Sequence, residues 1–188
     1  MARRLVISEN VTLDGVVENA GTWFDPTENS DRGRELAAVT AEHAAASDGF
    51  LVGRTTFEEM RGFWPQQHDD QTGVTNHLNQ VDKYVVSTSL EDPGWDGTTV
   101  LRGGEALEDE IRALTQAPGR DIVLTGAITL AGDLLRKNLV DELRLFVYPV
   151  VLSHGRRLFP QDWTASRLQL LEQRPIHDVM LLRYSVPR

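Results

Sequence analysis

Residues 121–136 read DIVLTGAITLAGDLLR, and this stretch predicts how the chain folds. Its start, residues 122–124, is a short apolar run with β-branched side chains, which is typical of a strand buried on both faces. Gly126 interrupts the run, and from Ile128 onward the leucines recur at helical spacing. We therefore predict a strand, a glycine turn and a helix in direct succession.

A second junction of the same kind lies upstream, where residues 49–60 read GFLVGRTTFEEM. Residues 50–52 predict a short buried strand, and Gly53 breaks it. We expect a helix to follow whose threonines act as caps, each with a glutamate three residues later as its capping-box partner. These pairs are Thr55 with Glu58 and Thr56 with Glu59.

Strand-to-helix turns of this type suit phosphate, because the first amides of a helix are free and lie at the positive end of its dipole. Gly126 and Ala127 allow a ligand close to the main chain. Arg54 offers a fork of donors at the other turn. A third turn, Ser87-Thr88, supplies hydroxyls after the predicted strand 83–87. Each turn, taken alone, is equally consistent with an ordinary connecting turn. The functional interpretation therefore depends on the three turns occurring together.

The remaining pattern alternates strands and helices. The predicted strands are 4–12, 98–101, 142–152, 168–173 and 178–186, and the predicted helices are 30–47, 74–80 and 105–116, with Asp48-Gly49 ending the first helix. Pro149 favours an edge strand, a bulge or a strand end. Alternation predicts an α/β fold with a mainly parallel sheet, helices on both faces and a C-terminal antiparallel pair, in a single domain over 1–188. In such a sheet the three turns share one rim.

Composition excludes several classes of protein. The formal charge is −9, which argues against a nucleic-acid partner. There is no cysteine for a disulfide or a thiolate zinc site. The apolar run 5–7 is too short for a membrane span or signal peptide, so we expect a cytoplasmic protein. Adjacent residues such as His68-Asp69-Asp70 are a poor ligand pattern, and we predict no metal site.

Two other segments carry candidate functional side chains. Residues 16–30 form a long irregular stretch in which Trp23 and Phe24 either line a pocket or pin the loop to the core. Residues 153–157, SHGRR, predict a tight basic turn.

Four segments together resemble the dihydrofolate reductase-like superfamily: GFLVGRTTFEEM, KYVVSTSL, DIVLTGAITLAGDLL and LVDELRLFVYPVVLSHGRRLF. The chain is most similar to the reductase domain of the bifunctional riboflavin-biosynthesis deaminase-reductase and its stand-alone bacterial relatives. This resemblance implies an NADPH-dependent reductase with a three-layer fold around a mixed sheet of about eight strands. It also implies a homodimer.

The resemblance further implies which residues would bind the cofactor. The turn Gly53, Arg54, Thr55 and Thr56 matches the one that holds phosphates, and Arg54 with Ser87 and Thr88 would meet the 2′-phosphate. Gly126, Ala127, Ile128 and Thr129 match the second pyrophosphate turn. Asn10 and the loop 14–23 match the segment that lines nicotinamide and substrate.

One departure from the superfamily bears on activity. Dihydrofolate reductases carry an acidic residue on the first helix, and neither Asp25, Glu28 nor Asp31 matches it, which argues against folate reduction. The sequence thus leaves two hypotheses. The chain is a reductase of a pterin-like or ribosylamino-pyrimidine-like substrate, or an inactive nucleotide-binding or ligand-sensing homo-oligomer. For the reductase, Asp14 is our candidate for the proton donor or a polar anchor, or else simply a turn residue before Gly15.

Overall fold

One eight-stranded sheet organises the computed structural model, which describes residues 3–18, 23–25, 28–67, 70, 73–163 and 167–187. The strands are β1 (Leu5–Thr12), β2 (Ser47–Gly53), β3 (Asp82–Val86), β4 (Thr98–Leu101), β5 (Asp121–Leu124), β6 (Glu142–Tyr148), β7 (Gln169–Ile176) and β8 (Val179–Ser185). The helices are α1 (Asp31–Ala45), α2 (Arg54–Phe63), α3 (Val74–Gln80), α4 (Leu107–Gln116) and α5 (Ile128–Arg136). Short 3-10 turns cover Trp64–Gln66 and Gly104–Ala106.

The strand order is β4-β3-β2-β5-β1-β6-β8-β7. The first six strands of this order run parallel, and β8 and β7 complete the sheet as an antiparallel pair. The predicted α/β architecture, with its mostly parallel sheet and closing antiparallel pair, is confirmed. Because six strands are parallel, their carboxyl ends all meet at one edge of the sheet, which we call the carboxyl edge.

The two faces of the sheet are covered differently. On one face, α4 and α5 pack on the largest apolar cluster, which includes Ile111, Leu134 and Leu124. The other face carries two separate clusters, one around Phe57 of α2 and one around Val39 of α1. This division of the second face leaves space between the two clusters, above the centre of the sheet.

The structure corrects several predicted boundaries. Helix α1 ends at Ala45, and Asp48-Gly49 belongs to β2 instead of ending the helix. Gly49 is needed there for packing, because a Cβ atom would lie 2.7 Å from a nitrogen of Arg3. Strand β6 stops at Tyr148, directly before Pro149, as the strand-end interpretation of that proline predicted.

The helix caps and the last hairpin also differ from the prediction. Helix α2 begins at Arg54 with Gly53 as its cap, and no side chain caps it, so the predicted capping boxes are wrong. Strand β7 continues through Pro175 to Ile176. A proline fits there because β7 is the edge strand, where a missing backbone donor is tolerated.

The run His68-Asp69-Asp70, for which we predicted no metal, is described only in part. His68 and Asp69 lie outside the described residues, and Asp70 accepts a hydrogen bond from the Thr75 amide at 2.8 Å.

No helix among the described residues has the length and apolar character that crossing a bilayer requires.

A buried charge network holds the amino ends of the central strands together. Glu142 of β6 accepts hydrogen bonds from Arg4 at 2.7 Å, Arg144 at 2.7 Å and Arg183 at 2.9 Å. Asp121 of β5 pairs with the first two arginines. Burial acts to raise the pKa of the Glu142 carboxyl, but the bonds from Arg183 and Arg144 hold it below its ordinary value. The network therefore needs Glu142 ionised.

Removing Glu142 is expected to be costly, because the buried Arg144 would lose one of its two counter-charges. We predict that Glu142→Ala lowers the free energy of unfolding by about 3–5 kcal/mol. The control is Glu172→Ala, which removes a half-exposed partner of Arg183 and is expected to cost about 1 kcal/mol or less. Urea denaturation at pH 7 measures both, and equal losses would contradict the assigned role.

Candidate functional site at the carboxyl edge

The predicted turns meet at the carboxyl edge. Gly53 ends β2 and Arg54 begins α2, and the neighbours of β2 in the sheet are β3, which ends before Ser87, and β5, which ends before Thr125. The Thr56 hydroxyl donates to the Gly126 carbonyl at 3.2 Å. This bond joins the turns after β2 and β5, and it is the contact that Thr56 makes in place of the predicted cap.

Arg54 projects at this edge and is about half exposed. Its Nε donates to Glu58 at 2.8 Å, and its Nη1 donates to the Ser89 hydroxyl at 2.6 Å. Ser87 is buried, and its hydroxyl accepts the amides of Ser89 and Leu90, so it shapes the turn. Ser89 is thus a hydroxyl beside Arg54 that the sequence analysis missed, although the run Ser-Thr-Ser signalled it.

Two threonines of these turns remain open to solvent. Thr55, in the first turn of α2, and Thr88, after β3, are both exposed. Their hydroxyls lie on turns that flank Arg54.

The turn after β5 leads into α5. Gly126 has φ +70°, and a Cβ atom there would approach the Thr56 methyl group to 3.3 Å, so the position favours glycine. Its amide donates to Glu9 at 2.7 Å and is therefore engaged within the protein. Ala127 is buried as the cap of α5, and Ile128 and Thr129 form the first turn of that helix.

A basic side chain from a distant segment reaches this turn. The Arg156 guanidinium donates to the Thr129 hydroxyl at 2.6 Å. Arg156 belongs to the basic turn 153–157, whose charge was visible in the sequence but whose position was not. Arg54 and Arg156 thus stand beside successive turns of one edge.

The sheet has a notch at this edge. Strand β1 pairs with β5 only from Leu5 to Ile7, because β5 ends at Leu124, whereas β1 pairs with β6 as far as Thr12. Among the described residues, β1 from Ser8 onward therefore has an unpaired side that faces the Thr125–Ala127 turn. We call this opening the notch.

Glu9 lies at the notch. The side chain is only 6% exposed, and Leu145 lies opposite it on β6. Burial raises the pKa of the Glu9 carboxyl to about 8, while the hydrogen bond from the Gly126 amide acts in the opposite direction. The carboxyl is therefore mostly protonated at neutral pH. Glu9 was not predicted as a site residue, because a single glutamate in an apolar strand carries no distinguishing pattern in the sequence.

A cavity of about 460 Å³ lies between α1 and the sheet. It occupies the space between the two apolar clusters of this face. Small residues of α1, such as Ala41 and Ala44, leave the room for it. Ser8, Glu9 and Asn10 all line the cavity, although alternate residues of a strand point to opposite faces. This is possible because the cavity reaches the unpaired side of β1, so the cavity and the notch are continuous.

The two ends of the cavity differ in character. Toward the carboxyl edge, its walls carry aromatic and apolar side chains: Phe24, Met60, Trp64, Val74 and Phe146. The inner end carries Ser47, whose hydroxyl lies 3.4 Å from His77, together with His43 and Arg144.

Two nitrogens near the inner end lack partners within the described residues, His43 Nδ1 and Arg144 Nη1. Burial, followed by the charges of Arg144 and Arg183, lowers the pKa of His43 to about 4, so the imidazole is neutral at pH 7. Both nitrogens are buried, so these two unpartnered atoms are not open to the cavity.

The two aromatic residues of the first loop both pack edge-on against Tyr148. Phe24 lines the cavity, as one of the two predicted alternatives proposed. Trp23 packs edge-on against Tyr148 at 5.4 Å between ring centroids and pins the loop to the core. Asn10 lines the cavity beside the notch.

Asp14 follows β1 at the same edge. Its carboxylate accepts the Thr12 hydroxyl at 2.7 Å and the Ser153 amide at 2.9 Å. The bond from Thr12, supported by the Ser153 and Leu152 amides, lowers the pKa of Asp14 to about 2. An ionised carboxylate with these contacts favours the polar-anchor interpretation of Asp14, because it ties the β1 turn to the segment after β6.

Comparisons with known proteins place the chain among established families. Residues 3–182 match the model of the RibD C-terminal domain. The Bacillus subtilis protein YyaP, itself uncharacterized, is 30% identical over 84% of this chain and 80% of its own length.

Solved structures share the fold. A pyrimidine reductase-like protein from Corynebacterium diphtheriae gives a TM-score of 0.65 at 16% identity, covering 99% of this chain and 92% of that one. The Thermotoga maritima diaminohydroxyphosphoribosylaminopyrimidine deaminase/5-amino-6-(5-phosphoribosylamino)uracil reductase gives 0.66 at 14% identity, covering 98% of this chain and 56% of that one. The expected dihydrofolate reductase-like fold is confirmed. With the family match over nearly its whole length, the chain belongs to the RibD C-terminal domain family.

Proposed function

We propose that this protein is an NADPH-dependent reductase of a small heterocyclic substrate of the ribosylamino-pyrimidine type. One observation carries the proposal: the notch is continuous with the cavity and also with the carboxyl edge, whose turns suit phosphate. Membership in the RibD C-terminal domain family supports a reductase of the riboflavin-pathway type. The name of the Thermotoga protein supplies the substrate class.

The residues at the carboxyl edge fit an extended dinucleotide. Adjacent strands lie about 4.8 Å apart, so the edge from β3 through β2 and β5 to β1 spans about 14 Å. Arg54, Ser89 and Thr88 would hold the 2′-phosphate at one end. The first turn of α5 and Arg156 would hold the pyrophosphate in the middle. The notch beside Asn10 would then receive the nicotinamide ring, which supplies a hydride when the cofactor is bound.

The cavity suits the substrate. Its volume is in the range of small-molecule sites, and its aromatic outer walls would stack on a flat heterocycle. The polar inner end, which Ser47 and His77 line, would hydrogen-bond a polar group of the substrate. Because the cavity and the notch are continuous, the two reactants would meet at Ser8 to Asn10.

The alternative is a nucleotide-binding or ligand-sensing homo-oligomer that has lost turnover. One observation favours it: among the described residues that line the cavity, α1 contributes no carboxylate. Oxidation of NADPH with 5-amino-6-(5-phosphoribosylamino)uracil, followed by absorbance, distinguishes the hypotheses. Turnover supports the reductase, and cofactor binding without turnover supports the alternative. The homodimer stays a prediction under both, and light scattering measures it.

Arg54 provides a test of cofactor choice. We expect Arg54→Ala to weaken NADPH by about 10- to 150-fold, since a charged hydrogen bond contributes about 1.5–3 kcal/mol. NADH affinity should change little, because NADH has no 2′-phosphate. The matched control is Arg112→Ala on α4, an arginine of similar exposure that pairs with Glu108 as Arg54 pairs with Glu58. Calorimetric titration measures all four affinities, and equal losses for both nucleotides would refute the assignment.

Ala44 provides a test of the substrate cavity. Leucine at this position fills space between α1 and the sheet, so Ala44→Leu should raise the KM for 5-amino-6-(5-phosphoribosylamino)uracil by about tenfold or more. The affinity for NADPH should stay within about twofold of the wild-type value, because the substitution does not change the carboxyl edge. Ala38→Leu is the control, since Ala38 is exposed on the same helix and does not line the cavity. Similar KM values for the two variants would exclude the cavity as the substrate site.

A further inference from the structure

The notch contains a carboxyl group that has no role in the proposed function as stated so far. Glu9 lines the cavity, lies beside the unpaired side of β1 and accepts the Gly126 amide at 2.7 Å. By alternation with Ile7 and Val11, its side chain points to the face of the sheet that α4 and α5 cover, and it borders the cavity only through the notch. Glu9 thus lies between the turn that leads into α5 and the place where the reacting ring would sit.

We propose that Glu9 is the proton-holding group of the nicotinamide end of the site, neutral beside a reduced ring and ionised beside an oxidised one. The proposal rests on the proposed function, because it requires a nicotinamide in the notch. It goes further by assigning the proton that a reductase must supply together with hydride.

The geometry explains why Glu9 suits this role. Burial among apolar side chains favours the neutral carboxyl, and the raised pKa of about 8 places its titration close to working pH. Only burial and the Gly126 amide account for that shift, so no charged side chain of the described residues contributes. The charged groups of the edge have partners of their own: Arg54 bonds Glu58 and Ser89, Asp14 bonds Thr12, and Arg156 bonds Thr129.

The chemical step balances with Glu9 as the source of one proton. The carbon of a substrate C=N or C=O group gains hydride from the reduced nicotinamide and forms a new C–H bond. The π electrons of that group move to nitrogen or oxygen, which takes the proton from the Glu9 carboxyl. The Glu9 carboxylate would then lie beside the cationic, oxidised ring, and water would return the proton to it when the oxidised nucleotide leaves.

This pairing of charges predicts a linkage that can be measured without any substrate. Ionised Glu9 attracts a cationic ring but has no such attraction for a neutral one. As pH rises through the titration of Glu9, NADP⁺ should therefore bind more tightly relative to NADPH, by up to about tenfold per pH unit. Taking the ratio of the two dissociation constants cancels ionisation of the 2′-phosphate, which both nucleotides share.

The experiment measures this ratio by calorimetry from pH 6 to pH 9 for the wild type and for Glu9→Gln. Glutamine can still accept the Gly126 amide but cannot lose a proton, so the ratio should become independent of pH. Glu59→Gln, which changes an exposed carboxylate of α2, is the control that should keep the wild-type dependence. A direct readout is ¹³C NMR of glutamate carboxyls, in which the Glu9 signal should titrate at lower pH with NADP⁺ than with NADPH.

The outcomes of this experiment test the role of Glu9 separately from the proposed function. A pH-dependent ratio that disappears in Glu9→Gln supports the role of Glu9. A ratio that is flat in the wild type, or unchanged in Glu9→Gln, overturns that role while the proposed reductase survives. If neither nucleotide binds at millimolar concentration, both the proposed function and the role of Glu9 fail. The NMR titration of the wild type decides the matter if Glu9→Gln does not fold.

Discussion

The early end of β5 is the constraint on which the rest of this site depends. Pairing between β1 and β5 stops at Ile7 and Leu124, and the chain turns at Gly126 into α5. A longer β5 would continue the ladder and close the sheet as far as its edge. Because it is short, the main chain of β1 is open on one side from Ser8, and a planar group can approach the middle of the sheet there. The turn that replaces the missing pairs also supplies the start of a helix.

Several side chains support this opening. Thr56 bonds the Gly126 carbonyl from one side, and Glu9 accepts the Gly126 amide from the other. The main-chain carbonyl and amide of Gly126 are thus both held by side chains, the carbonyl by α2 and the amide by β1. At the opposite edge of the sheet, the network of Glu142, Asp121 and three arginines holds the same strands together. The opening lies in a sheet that is anchored at its other end.

The sequence predicts the architecture well, because alternating buried runs and helical spacing depend on local chemistry. Helix α5 begins at Ile128 as predicted, and the turns after β2, β3 and β5 share an edge. Contacts between residues that are distant in the sequence were not predicted. Ser89 and Arg156 matter through neighbours 35 and 27 residues away. The capping boxes were wrong because α2 begins at Arg54, which places Thr55 and Thr56 inside its first turn and not at the cap position. Glu9 has no local signature at all, since its surroundings arise only when β1 packs under α5.

The composition of α1 has a consequence for how this protein changes over evolutionary time. Only Val39 of that helix is fully buried, and alanines face the cavity. Exchanging such residues for slightly larger ones reshapes the chamber without removing a major packing contact, so the fold tolerates it. The carboxyl edge, by contrast, is built from main-chain turns that admit few alternatives. If the proposed function holds, substitutions in this one helix would change which molecules the cavity accepts while the turns at the carboxyl edge stay constant.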